Sequence, residues 1–242
     1  MTVSKLDRQD FLENFWPSLY QPGQHVFLIG PTQRAGKTHL GFQLLNAADK
    51  TGLKTTVFCM KPRDKTVASF SEEYGFKETA EWPPKRKLFG EKTDAYTLWP
   101  KHSFDVDKDN EHIKAEFKKA MMDGYKRGNS ILFLDEIYGI TAELGLSQET
   151  IAILTRGGGM GCGAWMACQK PGGTQGRSLP GFAFNCPTHM FLANDNDSRN
   201  RERYADLAGG HDPKEIESIT LSLPKYNFLY LNADGQKAVI GA

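Results

Sequence analysis

The chain has 242 residues, of which 39% are hydrophobic and 24% charged, and its formal net charge is +1. That length suits one sizeable α/β domain and is short for two, and the composition excludes a disordered chain. The charge excludes a protein basic throughout, so any surface for nucleic acid must be local, and no run of about 18 apolar residues is present to span a membrane.

The first segment, "MTVSKLDRQDFLENFW", has scattered charges and no apolar core, so it is not a signal peptide, and the expected location is cytoplasmic. Residues 1–20 are expected to form an N-terminal extension. "HVFLIG" then reads as a strand, "KTHLGFQLLNAADK" as a helix with Leu40, Leu44, Ala47 and Ala48 on one face, and "KTTVFCM" as a second strand. Residues 61–90 contain Pro83-Pro84 and a basic cluster, Lys85, Arg86 and Lys87, and are expected to be an irregular insertion. "DAYTLWP" is a short strand, and "NEHIKAEFKKAMMDGYKRG" an amphipathic helix stopped by Gly128. "SILFLDEIYGI" reads as a strand that is apolar throughout, as one covered on both faces would be. "SQETIAILTRGGG" is a helix with Ser147 as its expected N-cap. "GAWMACQKP" and "THMFLAND" are strands, "DSRNRERYADLAGG" and "DPKEIESITLSL" are Asp-capped helices, and "YNFLYLNADGQKAVI" is a closing hairpin turning at Asp-Gly. The alternation implies one α/β domain over 1–242, with a mainly parallel central sheet, helices on both faces and a C-terminal β-hairpin. Cys59, Cys162, Cys168 and Cys186 form no Cys-x-x-Cys pair and read as reduced, mostly buried residues.

"HVFLIGPTQRAGKTHL" carries the first chemical signal. A strand, a glycine-bearing turn and a helix put backbone N–H groups and a helix N-terminus against an anion. Gly30, Pro31, Thr32, Gln33, Arg34, Ala35, Gly36, Lys37, Thr38 and His39 are therefore expected to wrap a nucleotide. Lys37 would reach the β- and γ-phosphates and Thr38 would ligate Mg²⁺. The loop departs from the usual pattern, because five residues rather than four separate Gly30 from Gly36, and Arg34 sits in its middle. "ILFLDE" supplies a second half-site at a strand end, with Asp135 expected to hold Mg²⁺ through water and Glu136 to orient or deprotonate the attacking water. Such a pair points to an ATPase with ATP and Mg²⁺ as cofactors, and a small-molecule kinase would leave the following segment unexplained.

That segment, "LTRGGGMGCGAWMACQKPGG", places an Arg-Gly run at a helix end, then a strand, then Gln169-Lys170-Pro171. With "NCPTHMFLANDNDSRN" downstream, it resembles the FtsK/HerA superfamily of RecA-like P-loop (ASCE) DNA-pumping ATPases, and in particular its small single-domain viral and mobile-element genome-packaging members. The likeness runs from about His25 to Tyr230. It implies a pentameric or hexameric ring that moves double-stranded DNA, with sites between subunits and, if viral, work in the host cytoplasm. A portal or capsid protein or a separate nuclease would fit it as a partner. Gln169 would sense the γ-phosphate or the water, and Arg156 would be an arginine finger reaching a neighbour's site. Arg199 is a weaker candidate for a similar role. Arg34 would act in cis, as in terminase-type motors, or else point to solvent. For the DNA-gripping pore the candidates are the cluster Lys85–Lys87 and the loop after Glu136, with a solvated surface the plain reading of the former. Two other functions remain open: an ATPase for protein or filament export or virion assembly, and an ATP-dependent switch.

Overall fold

The computed structural model describes residues 3–31, 35–49, 52–85, 94–169, 183, 185–207 and 210–241. From the N-terminus come β1 (Ser4–Leu6), α1 (Arg8–Asp10), a π-helical turn (Phe11–Phe15), α2 (Trp16–Leu19), β2 (Val26–Ile29), α3 (Lys37–Asp49) and β3 (Lys54–Phe58). Next are α4 (Lys65–Glu73), β4 (Lys77–Thr79), β5 (Ala95–Leu98), α5 (Val106–Arg127), β6 (Ser130–Asp135) and α6 (Ser147–Ala152). The chain ends with β7 (Cys162–Cys168), β8 (His189–Ala193), α7 (Ser198–Leu207), α8 (Pro213–Ser222), β9 (Phe228–Asn232) and β10 (Lys237–Ile240).

The strands form one sheet in the order β1-β10-β9-β8-β2-β7-β6-β3-β5-β4. All pairings are parallel except those of β9 with β8 and with β10. The apolar strands explain the layering. Because side chains alternate along a strand, Phe27, Ile29, Leu132 and Leu134 face one apolar layer, where Ile113, Phe117 and Met121 of α5 pack with Ile216 of α8. Val26, Leu28, Ile131 and Phe133 face the other, packed by α3 through Leu40, Leu44 and Ala48. Gly41 keeps α3 close, since a Cβ there would sit 2.5 Å from Cζ of Phe133. The mainly parallel sheet with helices on both faces and the closing hairpin are thus as the alternation implies.

Several local expectations change. The N-terminal extension enters the sheet: β1 pairs with β10, and buried Trp16 donates to the Leu44 carbonyl at 3.1 Å. Residues 61–85 hold regular structure within the excursion: α4 is capped by Asp64, which accepts from the Thr66 and Val67 amides, and β4 forms the sheet edge, while 80–85 are in neither helix nor strand. Phe70 of that helix stacks on Phe42 with ring centroids 5.6 Å apart, which ties the excursion to α3. Arg86 and Lys87 lie outside the described residues, while Lys85 is exposed beside Glu81 at 3.5 Å.

The strand read through "IYGI" ends at Asp135. Glu136 takes φ +78° and the chain turns into a π-helical segment, Gly139–Glu143. Ile137 and Ile140, three apart, are both buried there, which is helical rather than strand spacing. The loop after Glu136 is therefore packed into the core rather than hanging free. Ser147 is not the N-cap of α6 but its first helical residue, and its hydroxyl donates to the Thr141 carbonyl at 3.0 Å. The four cysteines are free thiols, three buried and Cys186 half-buried.

Candidate functional site

Strand register assembles the site. Ile29 of β2 is level with Cys168 of β7 and Leu192 of β8, Asp135 of β6 with Ala167, and Leu134 with Phe58 of β3. The residues following these strand ends therefore emerge side by side at one edge of the sheet, the carboxyl edge where open parallel sheets take ligands. Gly30, Asp135, Glu136, Gln169 and the turn after β3 all lie there.

The phosphate loop closes on its own lysine. Lys37 Nζ donates to the carbonyls of Gly30 at 2.7 Å and Pro31 at 2.9 Å, so the described ends of the loop curl around the ammonium. Burial lowers the Lys37 pKa, and Asp135 acts against that shift. Gly30 has no room for a side chain, since a Cβ would stand 2.5 Å from Cβ of Ala193. Gly36 takes φ +77°, a conformation that costs glycine little. Ala35 is buried, and His39 is exposed on the first turn of α3 with its ring 4.6 Å from that of Phe70. Thr32, Gln33 and Arg34 lie outside the described residues.

Thr38 and Asp135 meet across the two motifs. The Thr38 hydroxyl lies 3.1 Å and 3.2 Å from the two carboxylate oxygens of Asp135. Burial pushes the Asp135 pKa up to about 6, and the nearby Lys61 ammonium works against that shift. A buried carboxylate beside a hydroxyl at a helix N-terminus is a hard-oxygen pair. Two such protein oxygens fit Mg²⁺, which keeps water and phosphate oxygens as its other ligands.

Glu136 is held from two sides. Gln169 Nε2 donates to its Oε1, and Lys61 Nζ stands 3.7 Å from its Oε2. Its left-handed backbone is uncommon for a non-glycine residue and stores strain where the side chain is displayed. The arrangement holds a strand-end carboxylate beside an amide and within reach of the phosphate loop. It can orient water and accept a proton.

Lys61 is a site residue that the sequence reading passed over. It also contacts Asp64 at 3.3 Å, and its carbonyl accepts from the Trp99 indole at 2.7 Å. Burial opposes its charge, but Asp135, Asp64 and Glu136 outweigh this and hold its pKa above the ordinary value. The available signal was its place three residues past a strand that pairs with the Asp-Glu strand.

Arg156 does not join these residues. It is exposed at the end of the helical segment before β7. Met160 accepts from the Asn129 amide at 3.2 Å, level with the start of β6. Asp135 is six residues farther along that strand, roughly 20 Å away at ~3.3 Å per residue. Arg199 is exposed at the start of α7, its amide donating to Asp197 at 3.0 Å. The basic stretch there is not wholly a solvated face, because Arg201 is buried and donates to the Asp195 carbonyl at 2.9 Å. Lys170 and Pro171 lie outside the described residues.

No protein-family profile matches the sequence, and no curated protein matches it. Solved structures do. The genome packaging NTPase B204 from Sulfolobus turreted icosahedral virus 2, in complex with AMPPCP, is 12% identical with a TM-score of 0.59, over 92% of this chain and 99% of that one. VirB4 of Thermoanaerobacter pseudethanolicus is 8% identical with a TM-score of 0.64, over 89% of this chain and 88% of that one. The cytoplasmic domain of the Thermomonospora curvata Type VII secretion ATPase EccC is 16% identical with a TM-score of 0.55, over 96% of this chain and 26% of that one. The chain therefore shares the fold of these P-loop ATPase structures, a likeness of structure alone at low sequence identity.

Proposed function

We propose that this chain is a Mg²⁺-dependent ATPase that drives double-stranded DNA, in packaging of a phage or mobile-element genome. It would act as a pentameric or hexameric ring in the cytoplasm, or in the host cytoplasm if viral. The observation that carries this reading is the meeting of Lys37, Thr38, Asp135, Glu136 and Gln169 at one sheet edge. The likeness to a viral genome packaging NTPase over nearly the whole of both chains supports the DNA role.

In this reading Lys37 leaves the loop carbonyls to bind the β- and γ-phosphates, and loop amides take the remaining phosphate oxygens. Thr38 and Asp135 would hold Mg²⁺, which neutralises charge on the β- and γ-oxygens. Glu136 takes a proton from water as its oxygen attacks the γ-phosphorus, and the bond to the β,γ-bridging oxygen breaks to release ADP. Gln169 fixes the Glu136 carboxylate and senses the attacking water. Arg156, exposed in the helical segment before β7, would complete the neighbour's site. DNA in the ring would be gripped chiefly by its phosphates, so binding is sequence-tolerant and falls with salt. A portal or capsid protein, or a separate nuclease, is a partner that would suit such a motor. Among the described residues no helix is long and apolar enough to cross a membrane.

Linear double-stranded DNA is expected to raise the ATP hydrolysis rate several-fold, with the effect fading as salt rises. An ATPase rate indifferent to DNA would instead favour protein export, the second reading. The likeness to a Type VII secretion ATPase supports that alternative.

A further inference from the structure

The strand order gives the bound nucleotide a direction. The groups assigned to hydrolysis follow β7, β6 and β3, which all lie on one side of the phosphate-loop strand β2. A triphosphate on that loop therefore points its γ end toward them, and its base leaves toward the other side, over β8 and β9. The turn into β9 reaches the same sheet edge, because Phe228 pairs with Ala193 at the end of β8.

That turn carries an unusual residue. The Asn227 amide donates to the Pro224 carbonyl at 3.1 Å, closing a four-residue turn whose third member, Tyr226, has φ +68°. Glycine or asparagine is the ordinary occupant of such a position. A bulky aromatic kept there is strained, and its surroundings do not repay this by burial, since Tyr226 is 44% exposed. Its ring borders the phosphate loop: a Cβ on Gly36 would stand 3.0 Å from Tyr226 Cδ1. Exposed Lys225 lies over the ring, its ammonium 4.5 Å from the centroid, a flexible side chain that a ligand can displace. Arg8 anchors the turn by donating to the Tyr226 carbonyl, and its guanidinium lies 5.9 Å from the Phe228 ring centroid.

Resting on the nucleotide reading above, we infer that Tyr226 is the platform on which the nucleotide base stacks. Every base has a π-face, so the platform selects for a base without reading its edge, and it takes guanine as well as adenine.

The test compares ATP with inorganic tripolyphosphate, which has the charge but no base, by equilibrium binding to the full chain. Tyr226→Gly relieves the backbone strain and so folds at least as well as the natural protein. It is expected to weaken ATP binding about tenfold and leave tripolyphosphate binding unchanged, while Tyr226→Phe, which keeps the ring, binds ATP as before. Unchanged ATP affinity in Tyr226→Gly, or an equal loss for both ligands, overturns the base platform while leaving the phosphate site standing. If the natural protein binds neither ligand, the nucleotide site itself fails and takes the platform with it.

Discussion

Replacing Glu136 with glutamine is expected to cut steady ATP hydrolysis by about 10²–10⁴-fold while leaving ATP binding nearly unchanged. The amide has the shape of the carboxylate but cannot take a proton from water. It still offers an oxygen to the Gln169 amide, so the local geometry should survive. Lys61 loses its partner across 3.7 Å, but it is half exposed and keeps Asp64, so little stability is lost. Phosphate and metal contacts are assigned to Lys37, Thr38 and Asp135, none of which changes. The measurement pairs a hydrolysis assay with nucleotide binding. An unchanged rate in the variant would move the base elsewhere. A natural rate already at background would favour an ATP-dependent switch over a motor.

Arg156→Ala should lower hydrolysis by roughly 10³–10⁵-fold if the arginine acts as a finger on the neighbour's transferring phosphoryl group. The reason is positional. Arg156 precedes by four residues Met160, which bonds Asn129 at the amino end of β6, and Asp135 lies about 20 Å farther along that strand, so the arginine is placed away from its own site. Mixing separates the two candidate arginines. A subunit with Arg156→Ala keeps Glu136, and a subunit with Glu136→Gln keeps Arg156, so adjacent copies reconstitute a complete site and activity returns. Arg34→Ala mixed with Glu136→Gln should not recover, because a loop residue acting in cis belongs to the same broken site. Recovery in the second mixture and not the first would exchange the roles of the two arginines.

Much of this was legible in the sequence because it rests on local pattern. "HVFLIG" and "ILFLDE" are short apolar runs that end in chemistry, and a parallel sheet brings such ends together without further instruction. Asp197 and Asp212 announce helix starts by accepting backbone amides within a turn. Legibility failed where tertiary packing overrode a local cue. Ser147 resembles a cap, yet its hydroxyl bonds backward to Thr141. "IYGI" has strand composition, yet Ile137 and Ile140 are buried at helical spacing. The prolines near residue 83 suggested irregular chain and obscured α4, whose Val67 and Phe70 pack three apart. Lys61 and Tyr226 were invisible for another reason. Each is an ordinary residue in sequence and acquires meaning only from the strand or loop that folding places beside it.

ATP hydrolysis is expected to move this protein along double-stranded DNA. Displacement of a third strand annealed in the major groove of a linear duplex reads that movement. With ATP and Mg²⁺ the natural protein is expected to strip the third strand, whereas Glu136→Gln, or a slowly hydrolysed analogue in place of ATP, should leave it bound. Robust ATP hydrolysis with the third strand still in place would show that hydrolysis is not coupled to movement along DNA.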